Sequence, residues 1–190
     1  MIAAFPGSFN PPTIAHLDIA WTARDHFDLD RVDLVVSRVA LAKESVDRPL
    51  FEHRIAVLEA AAAEHDWLGV RVTEHRLLVD IAEGYDVLIM GADKWHQIQD
   101  PVFYADDPAT RDAAMAALPR VAVFPRPPHP TPPELVLPLD EAHHHVSSSA
   151  ARDGAIHHML DAAARFDEDT GAWTEPERYE VWLRDGAGDR

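Results

Sequence analysis

"FPGSFNPPTIAHL", residues Phe5 to Leu17, decides how this chain is read. The short apolar run MIAAF ends in a stiff loop of glycine, asparagine and prolines, and a helical pattern opens beyond it near His16. Gly7 allows the backbone to approach a ligand closely, and the prolines restrict the loop before anything binds. Thr13 suits the N-cap of the helix that follows, so the first-turn amides point back into the loop. A helix N-terminus of this kind attracts anions, and His16 in the first turn reaches the same anion with a ring nitrogen. A tight strand-to-helix turn, in which His16 only caps or packs, explains the stretch equally well.

Outward from that loop, short β-rich runs alternate with helical patterns. MIAAF reads as a first strand, and Leu17, Ala20, Trp21 and Phe27 give a helix an apolar face. RVDLVVS (Arg31 to Ser37) is a near-continuous apolar strand of the kind buried on both faces. Leu50 to Glu64 reads as a helix with Ile55, Leu58, Ala61 and Ala62 in register. GVRVTEH is a third strand, LLVDIAEG a short helix ending at Gly84, and DVLIMGAD a fourth strand. Ala109 to Leu118 is a helix, RVAVFP a fifth strand, and ELVLPL a sixth. Helices over Ser148 to Phe166 and Glu175 to Arg184 close the chain, with Pro176 at a helix start. The expectation is an α/β fold: a Rossmann-like, doubly wound parallel sheet with helices on both faces, forming a single domain over 1–185 and a frayed tail over 186–190. Such sheets bind ligands beyond the carboxyl ends of their strands, where Pro6 to His16, Gly91 to Trp95 and His143 to Arg152 all fall.

Composition narrows the function classes. With 190 residues and 47% hydrophobic content, one core can form without staples. Cysteine is absent, which removes disulfide, zinc-thiolate and thiol-nucleophile chemistry. No apolar run approaches the ~20 residues of a membrane span. MIAAFPGSF lacks the basic start of a signal peptide, so a cytoplasmic location without membrane association is expected. The formal net charge of −16 argues against a nucleic-acid partner but not against a small anion, because local donors decide phosphate binding. RPPHPTPPE (Arg126 to Glu134) carries five prolines and reads as a stiff surface loop.

Two widely separated motifs carry a resemblance to a known family. GSFNPPTIAHL resembles the first signature of the nucleotidylyltransferase superfamily (cytidylyltransferase-like), Gly-x-Phe-x-Pro followed by (His/Thr)-x-Gly-His. VSSSAAR, Val146 to Arg152, resembles its second, Ile-Ser-Ser-Thr-x-x-Arg. Between them LIMGAD, ending at Asp93, is similar to the Gly-Ala-Asp strand end of nicotinamide and nicotinate mononucleotide adenylyltransferases. ALAKES places Lys43 where the family carries a substrate-phosphate lysine, and FEHR follows. Ala15 stands where the family has the glycine of its Gly-His pair, and Ser149 where it has threonine. The stretch HRLLVDIAEGYD, together with the opening loop, resembles pantetheine-phosphate adenylyltransferase instead.

The resemblance implies an adenylyltransferase. A phosphorylated small-molecule acceptor attacks the α-phosphorus of ATP, and pyrophosphate leaves with Mg2+, which is held mainly by phosphates and water. It implies catalytic roles for His16, Arg152 and Lys43. Nucleotide binding falls to Gly7, Ser8, Phe9, Asn10, Thr13, His16, Gly91, Asp93, Ser147, Ser148, Ser149 and Arg152. In that scheme His16 stabilises the α-phosphate, the three serines serve the β- and γ-phosphates, and Arg152 serves the leaving pyrophosphate. Read without the family, VSSSAAR is an ordinary serine N-cap with a solvated arginine, and Asp93 a turn aspartate. Trp95 either stacks on a ligand ring or packs.

No protein metal site is expected. His143, His144 and His145 cannot all point one way, and one of them near the triphosphate with the others solvated is the simpler reading. His157 and His158 are read as solvated too. Nicotinamide or nicotinate mononucleotide is the acceptor expected, with 4′-phosphopantetheine the alternative. A non-catalytic nucleotide-binding member is the competing class, and a homo-oligomer is left open.

Overall fold

The computed structural model describes residues 1–39, 48–139 and 145–186. Its described residues fall into two compact units, one of 1–7, 19–39 and 67–139, the other of 8–18, 48–66 and 145–186. Lys43, His143 and His144 lie outside the described residues, as does most of the tail.

The first unit is built on five parallel strands: β1 (Ile2–Pro6), β2 (Arg31–Ser37), β3 (Leu68–Thr73), β4 (Val87–Gly91) and β5 (Arg120–Phe124), in the order β3-β2-β1-β4-β5. The order reverses at β1, so the switch point of this Rossmann-like sheet lies between β1 and β4, whose carboxyl ends are Pro6 and Gly91. Strands β1 and β4 are apolar, and β4 along its whole length and β1 over Ala3 to Phe5 are buried, as strands covered on both faces must be. Helix α3 (Leu78–Ile81) and the residues after it bring Leu78, Ile81, Ala82 and Tyr85 against Val35, Leu88, Met90 and Val123. Trp95, on α4 (Ala92–Gln97), packs against the same core.

One charge is buried inside β2. Asp33 is 6% exposed and is satisfied by Arg31 Nε at 2.6 Å and the Tyr85 hydroxyl at 2.9 Å. Burial, reinforced by this bond to Asp33, pushes the Tyr85 phenol from 10.0 up to about 12. The folded chain therefore holds that proton more tightly than the unfolded one. Its contribution to stability is complete below about pH 10 and is lost as pH climbs towards about 12. Melting of the parent should decline more steeply across that window than melting of Tyr85→Phe; parallel curves would contradict the assignment.

Two details differ from the sequence reading in this unit. Glu134 to Leu139 is not a sixth strand. It meets β5 at a single bridge, Val136 to Val123, flanked by Val123 N–H on Leu135 O and Leu137 N–H on Val123 O, because the proline-rich stretch before it supplies few donors for a longer ladder. On α1 (Ile14–Phe27) the buried residues are Ile19, Ala20 and Ala23, while Trp21 is 51% exposed. Trp21 instead meets Trp67 edge-on, with the Arg24 guanidinium 5.6 and 5.5 Å from the two rings, a cation–π arrangement that suits a half-wet surface. The helix expected over Ala109 to Leu118 forms as α5 (Pro108–Ala116), capped by Asp107.

The second unit is helical: α2 (Phe51–Ala62), α6 (Ser148–Arg152), α7 (Asp161–Thr170) and α8 (Pro176–Gly186). Val57, Ala151, Met159, Ala163, Trp173 and Tyr179 form its core. Tyr179 is fully buried, and its hydroxyl takes the Leu50 N–H at 3.0 Å and lies 2.6 Å from His53 Nδ1, as a buried phenol requires. The single helix expected over Ser148 to Phe166 is broken. Gly154 adopts φ +107°, outside helical space, and a 3-10 turn at Ile156–His158 intervenes before α7. That turn swings His158 inward, so it is buried rather than solvated. Its ring packs 4.5 Å from His157 and 5.6 Å from His145, and burial lowers its pKa.

Among the described residues, no helix is long and apolar enough to cross a membrane.

Candidate functional site

The loop that leaves β1 is poor in donors, because Pro11 and Pro12 have no N–H. Its carbonyls must be satisfied by the rest of the chain. Four of them are, all within the second unit. Ser8 O accepts from Arg54 Nη1 at 3.1 Å, Asn10 O from Arg152 Nη1, Pro11 O from the Ser148 hydroxyl at 2.8 Å, and Pro12 O from Leu160 N–H at 3.1 Å. A bridge between Thr13 and Met159 extends the same seam. The two motifs, 142 residues apart at Asn10 and Arg152, are thus in direct contact.

His16 stands at the third position of α1 and caps it. The Thr13 main-chain N–H points at His16 Nδ1, 3.0 Å away, and the Thr13 hydroxyl lies 2.8 Å from the same nitrogen. This is the reach-back half of a capping box, with an imidazole in place of the usual carboxylate, while the His16 N–H goes to the Thr13 carbonyl at 3.0 Å. A main-chain N–H can only donate, so Nδ1 accepts and the hydrogen of the neutral ring sits on Nε2. One nitrogen caps the helix and the other is a fixed donor. The capping reading and the anion reading of His16 are therefore compatible. The ring is held edge-on to Phe9, centroids 5.0 Å apart, and Phe9 is itself buried with φ 45°.

The second motif is equally tied down. Ser147 is the N-cap of α6, accepting from Ala150 N–H at 3.1 Å, while Ser149 Oγ accepts from Arg152 Nη2 at 3.2 Å. Each of the three serine hydroxyls already has a protein partner. Arg152 is exposed, and two of its five N–H groups are committed to Asn10 and Ser149, so the remainder of the fork is available to an anion. The chemistry of this set (a ring N–H, hydroxyls and a guanidinium) suits an anion. It does not suit a cage for magnesium, which demands oxygen ligands and carboxylates.

Other expected residues are placed in the first unit, each by itself. Gly7 donates its N–H to Val35 O at 3.0 Å, just past β1. Gly91 ends β4, and Asp93 Oδ1 lies only 2.5 Å from where a Cβ on Gly91 would be, so the carboxylate folds back over the strand end only because that position has no side chain. Asp93 is exposed in the first turn of α4.

Sequence reasoning missed two residues that hold the loop. Arg54 is 8% exposed, with its pKa lowered by burial, and stands over the Phe51 ring. Its signal was available: an arginine at 54 shares the α2 stripe of Leu58 and Ala61, where only a tethered charge is tolerated. Trp173, whose Nε1–H donates to Asn10 Oδ1 at 2.6 Å, gave none.

Comparison with known proteins identifies relatives of this chain. A protein of Salinibacter ruber named a probable nicotinate-nucleotide adenylyltransferase is 30% identical over 115 residues, which cover 50% of this chain and 59% of that protein. A phosphopantetheine adenylyltransferase of Desulfitobacterium hafniense is 38% identical over 94 residues, 47% of this chain and 53% of that protein. The chain thus spans somewhat more than half the length of the curated relatives it matches. The model of the cytidylyltransferase-like family matches residues 4–154, taking in both motifs, the end of β1 and the other four strands of the sheet. On that match this chain belongs to the cytidylyltransferase-like family.

Proposed function

We propose that the protein transfers the adenylyl group of ATP to a phosphorylated acceptor and releases pyrophosphate, with nicotinate or nicotinamide mononucleotide as the acceptor. The observation that carries the reading is the contact of Arg152 and Ser148 with the carbonyls of Asn10 and Pro11, which sets a guanidinium on the loop that leads into the helix bearing His16. A phosphate oxygen of the acceptor attacks the α-phosphorus of ATP. The bond to the bridging oxygen breaks, and pyrophosphate departs with the electron pair. Such a transfer asks the protein for positioning and charge stabilisation rather than covalent chemistry. His16 Nε2–H donates to an α-phosphate oxygen as negative charge builds there, and Arg152 neutralises the departing pyrophosphate. Magnesium accompanies the triphosphate as part of the substrate. Lys43 is proposed as a ligand of the acceptor phosphate, and Asp93 as a ribose ligand.

The pyridine nucleotide is favoured by the Gly91-Ala92-Asp93 strand end and by the relative named for nicotinate nucleotide. The 38% match to a phosphopantetheine adenylyltransferase favours 4′-phosphopantetheine as the second reading. Pyrophosphate release measured with ATP and each acceptor in turn decides between them. Release with nicotinate or nicotinamide mononucleotide is expected, and release with phosphopantetheine alone would overturn the acceptor. ATP that raises the melting temperature while no acceptor yields pyrophosphate would make the chain a nucleotide-binding module instead.

A further inference from the structure

The match to the family ends at residue 154, yet the loop that opens it is anchored from beyond that point. Trp173 is 5% exposed, and its indole N–H donates at 2.6 Å to Oδ1 of Asn10, which is itself 8% exposed. Asn10 is therefore gripped twice. Its main-chain carbonyl takes Arg152, and its side-chain carbonyl takes Trp173.

The residue before it shows what the grip accomplishes. Phe9 has φ 45°, a left-handed conformation that a bulky L-residue adopts only when its surroundings impose it. The anchors on Asn10 are next in the chain, and they fix the backbone that leads to Thr13 and the His16 cap.

The segment carrying Trp173 is wired to hold it still. Asp167 is 2% exposed, and its carboxylate accepts from Trp173 N–H at 2.7 Å, Thr174 N–H at 3.1 Å and the Thr174 hydroxyl at 2.5 Å. Gly171 closes α7 in the left-handed conformation just before it. Phe166 meets the indole edge-on at 5.9 Å from the side of the helical core. The carboxylate thus fixes the main chain at Trp173 and Thr174, from which the indole is presented to Asn10; phenylalanine in place of Trp173 would fill much of the same apolar volume but bring no donor.

We propose that Trp173 is a positioning residue: through Asn10 it holds the Phe9–Thr13 backbone, and with it the Arg152 guanidinium and the His16 cap, in the geometry that receives the α-phosphate. The proposal rests on the adenylyl-transfer reading for its catalytic consequence. Its structural content stands apart from that reading.

The test compares Trp173→Phe with Phe166→Leu, a substitution in the same core that leaves the bond to Asn10 intact. In Trp173→Phe, the amides of Phe9, Asn10 and Thr13 should exchange with solvent at least about tenfold faster than in the parent. The kcat should fall about tenfold or more, with the acceptor KM unchanged, because a displaced loop costs orientation rather than acceptor affinity. Phe166→Leu should lower the melting temperature by a similar amount and leave loop exchange and kcat near the parent values. Equal effects of the two variants on loop exchange and kcat, or no effect of either, would overturn the proposal. In the unmodified chain, the Trp173 indole proton should exchange at least about tenfold more slowly than that of half-exposed Trp21; comparable rates would overturn it without any mutation. Should no acceptor be turned over by the parent, the transfer reading fails, and the two exchange measurements still decide the role of Trp173.

Discussion

Replacing His16 with alanine should lower kcat by about a hundredfold or more and leave acceptor KM within about twofold, as expected when a donor aimed at developing charge is removed. The fixed tautomer makes the expectation specific. Nδ1 accepts the Thr13 N–H at 3.0 Å, so in the proposed transfer the hydrogen offered to the phosphate is the one on Nε2. The same substitution removes a helix cap, typically worth about 1 kcal/mol. A small loss of melting temperature should therefore accompany the kinetic loss without explaining it. Thr13→Val separates the two roles. The main-chain N–H still holds Nδ1 after the hydroxyl is gone, so kcat should fall far less than in His16→Ala. Parent-like turnover in His16→Ala would remove the imidazole from the mechanism.

Arg152→Ala should weaken ATP by about ten- to a hundredfold while the mononucleotide loses much less, the scale of a lost hydrogen bond to a charged group. Part of that loss is indirect, because the guanidinium also holds the Asn10 carbonyl. Arg152→Lys distinguishes the contributions. Lysine keeps the charge but not the planar fork, and it cannot serve a main-chain carbonyl and a phosphate with the same geometry. It should recover only a minor part of the affinity. Equal losses for ATP and acceptor in Arg152→Ala would displace the residue from the pyrophosphate.

These expectations depend on features of unequal visibility in the sequence. The strands β1, β2, β4 and β5 were legible because buried parallel strands are short, continuous apolar runs set off by turn residues, and that signal is local. The start of α1 beside Thr13 was legible for the same reason, although the contact there runs from Thr13 to the His16 ring rather than from the Thr13 hydroxyl to a first-turn amide. Helix boundaries were less so. Ser148 to Phe166 has the composition of one helix, but a glycine at φ +107° inside it costs the helix its continuity, and composition does not report a dihedral angle. His158 followed from that break: once the chain turns at Ile156–His158, a histidine expected in water packs on two others. The face of α1 was misread because Ala20 and Ala23 fill the buried stripe, leaving Trp21 to the surface.

The sequence by itself determined the parallel α/β architecture, the stiff proline loop before α1 and the pairing of two motifs in one family, all of which rest on periodicity and on residues within a few positions of one another. Only the tertiary structure decided which groups hold that loop. Arg54, Arg152 and Trp173 reach it across 46, 142 and 163 residues. The physical reason is that prolines strip the loop of its own donors, so its carbonyls and the Asn10 side chain must be satisfied by whatever the folded chain brings beside them, and a linear pattern carries no record of that neighbour.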